Sequence, residues 1–192
     1  MKRGIPQKTK MLTASALLSA FGVALLFVGS ILETLDLSMA ALASFFCLFA
    51  VIEIRGIYPW LIYAVTGILS VVLMPNSLGG WFYLLYFGFY PIIKDKVERF
   101  KKPLAWAIKI GVFNLALLFG TLAVFYLFLG NTEGKNVIDA FKYVFGTEEL
   151  GTIFTVGIYL LANITFIVYD IALTRLIVLY YYKIRKKLKF LK

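Results

Sequence analysis

The stretch FIVYDIALTRLIVLYYYKIRKKLKFLK, residues 166–192, joins an apolar run to a dense basic tail. Two charges, Asp170 and Arg175, sit inside the run. Together with the apolar residues before it, the run reaches the roughly 20 residues that a helix needs to cross a bilayer. Lys and Arg concentrate on the cytoplasmic side of membranes, so the tail predicts that this helix ends inside the cell.

The whole chain carries the same signature. Of its 192 residues, 61% are hydrophobic and only 16% charged, and mean hydropathy is +0.88. That leaves too little polar surface to coat a water-soluble fold of this size. The composition predicts an all-α integral membrane protein, a single transmembrane domain over residues 1–192 with a basic cytoplasmic tail over 183–192. The expected location is the cell membrane, of the bacterial plasma-membrane type.

Six apolar segments of helical length follow, at about residues 11–32, 37–54, 57–74, 78–93, 104–129 and 151–182. The opening MKRGIPQKTK resembles the basic region of a signal peptide, but the first apolar run is too long for one and more spans follow. It is read as a retained helix. With both termini cytoplasmic, the inner segments hold Lys2, Arg3, Lys8, Lys10, Arg55, Lys94, Lys96, Arg99, Lys101, Lys102, Lys183, Arg185, Lys186, Lys187, Lys189 and Lys192. The outer loops hold only Lys135 and Lys142, beside the acids Glu33, Asp36, Glu133, Asp139, Glu148 and Glu149. An odd number of spans would carry one basic terminus outside. The formal charge of +10 then reads as attraction to anionic lipids, and no nucleic-acid partner is expected. In the long external loop, 130–151, the residues Val137, Ile138, Phe141, Val144 and Phe145 recur at helical spacing. They predict a short amphipathic helix.

The chemistry-bearing residues are sparse. The chain has no His, and its one cysteine, Cys47, lies in an apolar stretch. No phosphate-binding glycine loop and no nucleophile elbow appear. The reading is therefore of a protein that is not an enzyme and uses no cofactor and no metal. Asp95 and Glu98, among lysines, read as a solvated inner loop. The charges inside spans need partners on other helices, because ionisable groups in a membrane are costly. Asp170 and Arg175 are five residues apart and point about 140° apart around a helix, so they do not pair with each other. Depth along the helices predicts a polar seam of Lys109, Asn114 and Asp170 that locks span five to span six. Arg175 either snorkels to the inner headgroups or meets Glu53 or Glu98.

In the first span, ASALLSAFGVALL sets Ala16, Ala20 and Ala24 four apart on one face, a spacing that allows close helix approach. Ser15, Ser19 and Gly22 widen the smooth strip. Six short spans, both termini inside and this alanine face resemble the S components, the substrate-capture subunits of energy-coupling-factor transporters. The resemblance implies docking through Ala16, Ala20 and Ala24 on a transmembrane coupling subunit driven by ATPases. It also implies a small micronutrient, vitamin-like, as small-molecule substrate, bound near the outer face by Glu33, Asp36, Asn76, Trp81, Tyr83, Tyr86, Tyr126 and Tyr143. The lack of His speaks against the cobalt- and nickel-binding branches of that family. The alternative is a non-transporting membrane scaffold or accessory subunit in cell-envelope assembly, in which the outer aromatic residues are interfacial belt residues. A lipid-modifying enzyme is the third reading, and it would want a cluster of acids or histidines that this chain lacks.

Overall fold

A computed structural model describes residues 7–124 and 148–184, and every regular element among them is helical. Helix α1 spans Gln7–Leu32, α2 Asp36–Glu53 and α3 Tyr58–Leu73. Helix α4, Leu78–Phe82, runs into a π-helical segment, Tyr83–Phe87, and then α5, Tyr90–Val97. Helices α6, Lys102–Val124, and α7, Glu148–Leu179, are the remaining described helices, and α7 ends in a second π turn, Tyr180–Ile184. Among the described residues, four stretches are long and apolar enough to cross a membrane: Gln7–Leu32, Asp36–Glu53, Lys102–Thr121 and Val156–Lys183. Helix α3, with 16 residues, is shorter. The external segment expected to carry an amphipathic helix, and the basic tail beyond residue 184, lie outside the described residues.

The fourth apolar segment differs from a continuous span over 78–93. The Gly88 amide donates to the Tyr83 carbonyl at 2.8 Å, five residues back, which widens the helix by one residue per turn. Pro91 then opens α5, where a missing amide hydrogen costs nothing. The sequence carries the cause in Gly88 and Pro91, but apolar periodicity does not register a π turn.

The chain forms two compact units. One comprises residues 1–112 and 116–120, the other residues 113–115 and 121–192. In the first, α1 packs on both α2 and α3. Its buried positions are Ser15, Ser19, Gly22, Leu26 and Gly29, at alternating steps of four and three. A methyl group added at Gly22 would sit 2.9 Å from Thr66 Cγ2, so the Thr66 side chain of α3 fills the space that a side chain there would need. Ser44, Thr66 and Ser70 are also buried, whereas Leu17, Phe21, Ile31, Val72 and Leu73 point outward. Small and hydroxyl-bearing residues inside with large apolar residues outside is the distribution favoured when lipid is the solvent. A central cluster of Leu26, Ala40, Ala43, Met74 and Tyr83 fills the space between α1, α2 and the broken fourth segment.

In the second unit, α7 lies antiparallel to its share of α6. Phe113 stacks on Phe166 with ring centroids 4.7 Å apart, Asn114 meets Asn163, and Thr121 meets Tyr159.

Two faces of α1 should therefore respond differently to bulk. Gly22→Leu should lower stability in detergent by about 1–3 kcal/mol through overpacking, whereas Ala20→Leu, on the exposed side, should leave it nearly unchanged. Unfolding titrations of the two variants check this, and equal losses would refute the assignment of faces.

Candidate functional site

The α1–α2 turn and the α3–α4 turn meet around one buried carboxylate. Asp36 opens α2, where a negative charge suits the positive end of the helix dipole. Its carboxylate accepts from the Ser77 hydroxyl at 2.9 and 3.0 Å and from the Gly79 amide at 2.8 Å. The Ser77 hydroxyl in turn accepts from the Gly80 amide at 3.1 Å, as an N-cap should. Gly79 is needed for this approach, and Gly80 lies against Ser70. A methyl group at Gly79 would fall inside the Asp36 side chain, whereas one at Gly80 would make only ordinary contact with Ser70.

The residues expected to hold a ligand divide on this geometry. Asp36 is buried and ties two turns together. Glu33 and Asn76 are exposed at the same end, and Glu33 holds a left-handed backbone, φ 41°. Trp81 is half-buried, and its indole N–H donates to the Pro75 carbonyl at 2.9 Å. Tyr83 belongs to the central cluster, while Tyr86 packs against Phe87, Phe89 and Tyr90. Tyr126 and Tyr143 lie outside the described residues. The Tyr63 hydroxyl donates to the Leu84 carbonyl at 2.8 Å, inside the π segment where regular helical bonding is broken.

A second polar centre lies where α5 gives way to α6. Lys94 and Lys109 both reach one carboxylate oxygen of Glu98, at 2.8 and 3.0 Å. Both lysines are buried, and Glu98 is partly open to solvent. Burial pushes the Glu98 carboxyl up, but hydrogen bonds from Lys94 and Lys109 and their charges outweigh it and hold the group below its ordinary range. Lys109 also stands 5.4 Å from the centre of the Trp106 ring. The expectation of a simply solvated loop is corrected here. Asp95 fits it, in an exposed pair with Arg99 at 2.9 Å, but Glu98 bridges two helices.

Of the expected seam, Asn114 exchanges amide hydrogen bonds with Asn163 at 3.0 and 3.3 Å, and Asn163 also donates to the Tyr159 carbonyl at 2.9 Å. Asp170 is buried, and its backbone carbonyl accepts from the Thr174 hydroxyl at 2.9 Å. Arg175 is exposed. Sequence reasoning missed Ser77, Lys94, Asn163, Tyr159 and Thr121. Ser77 alone left a local signal, standing as a cap residue before the helix LGGWF. Among the described residues no cluster of three or more His, Cys, Asp or Glu could hold a metal ion.

Ala16, Ala20 and Ala24 are exposed, about 140° around α1 from its buried seam. Ser15, Ser19 and Gly22, expected to widen that strip, face the other helices instead.

No family model, curated protein or solved structure matches this chain.

Two outcomes follow. Asp36→Ala leaves the Ser77 hydroxyl and the Gly79 amide without their buried acceptor and should cost about 1–3 kcal/mol of stability, read from unfolding titrations. Glu98 should contribute stability that is complete above the ordinary carboxylate range, near pH 4, and is lost as pH falls through its lower folded value. The stability gap between wild type and Glu98→Gln, followed from pH 7 to pH 3, should hold steady and then close. A gap that widened in acid would reverse the sign and exclude the bridge.

Proposed function

We propose that this protein is a six-span membrane subunit of the substrate-capture kind, with both termini in the cytoplasm. In this reading it takes a small micronutrient near its outer face and docks through α1 on a membrane coupling subunit driven by ATPases. One observation carries the reading. The alanine row of Ala16, Ala20 and Ala24 faces away from the body of its own unit, while the serines and glycines of the same helix are used for internal packing. A helix that keeps two smooth faces supports two close-packed contacts, one inside the chain and one with another helix. Glu33, Asn76 and the half-buried Trp81 are the groups left at the outer end for a small ligand to meet.

The scaffold reading has its own support. Asp36, Tyr83 and Tyr86, three of the groups a ligand would want, are occupied in holding helices together. A scaffold uses the alanine face as well and needs no pocket.

The deciding experiment pairs two measurements. Native pull-down of Ala20→Leu should lose a coupling subunit that the wild type retains, and thermal-shift screening of the wild type against a vitamin panel should find a stabilising ligand. Loss of the partner with no stabilising ligand would favour the scaffold. Unchanged partners would remove α1 docking from both readings.

A further inference from the structure

The turn between α2 and α3 and the turn between α5 and α6 lie at one end of the first unit. They are tied by the Lys96 ammonium, 5.7 Å from the centre of the Trp60 ring. Four cationic side chains are exposed on these turns and the adjoining helix ends: Arg55, Lys96, Lys101 and Lys102. The acids of this end do not neutralise them. Asp95 is bound to Arg99, Glu98 to Lys94 and Lys109, and Glu53 is engaged within the fold. Among the described residues, none of the four exposed cations makes an ion pair.

Apolar surface borders this charge. Trp60 is partly exposed and its ring is held edge-on by Tyr63, which is itself braced by Phe89, with centroids 6.0 Å apart in each pair. Ile57, Leu61, Phe100 and Leu104 are exposed beside the basic residues. A cationic rim above an exposed apolar wall, with a fixed tryptophan at the boundary, matches the two halves of a lipid.

We propose that this end of the first unit is a seat for one anionic glycerophospholipid. The phosphodiester meets Lys96 and its neighbours Arg55, Lys101 and Lys102, while the acyl chains lie along Ile57, Leu61 and Leu104. A zwitterionic headgroup fits less well, because its ammonium is repelled by the same lysines. A soluble phosphate ester leaves the apolar wall unused. The seat rests only on insertion into a bilayer and stands whether the protein captures a substrate or serves as a scaffold.

Native mass spectrometry of the full chain, released from detergent with equal phosphatidylglycerol and phosphatidylcholine, tests it. Wild type should retain phosphatidylglycerol in preference. The combined variant Lys96→Gln, Lys101→Gln, Lys102→Gln should lose that preference, by about fivefold for each lysine neutralised. A control, Arg175→Gln, removes exposed charge from the second unit and should keep it. All four side chains are exposed, so unchanged thermal unfolding verifies that packing is intact. Equal retention of both lipids by wild type would overturn the proposal. So would a control that loses as much as the combined variant, since the attraction would then be diffuse. Displacement of the lipid by millimolar glycerol phosphate would also overturn it, by assigning the end to a soluble ligand.

Discussion

Close approach along one seam of α1 is the constraint on which the first unit depends. Ser15, Ser19, Gly22 and Gly29 offer almost no side chain, so α2 and α3 come near enough for backbone and short side chains to touch. In lipid there is little hydrophobic gain in burying a leucine against another helix, because acyl chains solvate it as well. For helices that span a bilayer, cohesion comes from tight packing and from hydrogen bonds, and both need small residues at the contact. The large apolar residues of the same helix, such as Leu17 and Phe21, are left for the outside.

The polar groups follow from that constraint. Close packing leaves little room for water to satisfy a stray donor, so buried and half-buried polar groups such as Asp36, Ser77 and Asn114 find their partners in the fold. Asp36 is the clearest case. One carboxylate serves the α1–α2 turn and the start of α4, supplying the acceptor that an exposed helix end would take from solvent. Glu98 does the corresponding work between α5 and α6, with two lysine partners. The Asn114–Asn163 pair is the interior version, between α6 and α7. Couplings of this kind inside membranes average about 0.6 kcal/mol, so they orient helices more than they hold them.

The interior use of these groups also shapes the functional reading. Residues that could have formed an outer binding site are divided between those spent on the fold, Asp36, Tyr83 and Tyr86, and those left accessible, Glu33, Asn76 and Trp81. Among the described residues, the surfaces the two proposals rest on are the outward alanines of α1 and the basic end around Trp60 and Lys96. One suits a helix, the other a headgroup, and the difference is one of size against charge.

Apolar length and the near absence of interior charge were enough to read an all-helical chain with membrane-length segments, because those are properties of each segment alone. The alanine spacing on α1 was equally legible, since residues four apart share a face in any helix. Which face would turn inward was not. Ser19 and Ala20 are neighbours in sequence with similar size and helical spacing, and the approach of α3, whose Thr66 hydroxyl donates to the Ser19 carbonyl, is what turns one of them inward. The partners of Asp36, Asn114 and Lys109 were hidden for the same reason. Ser77 is 41 residues from Asp36 and Asn163 is 49 from Asn114, and a one-dimensional pattern carries no information about such meetings. Sequence determined that these polar groups must find partners. Tertiary structure decided which ones, because a hydrogen bond depends on where two backbones cross in space.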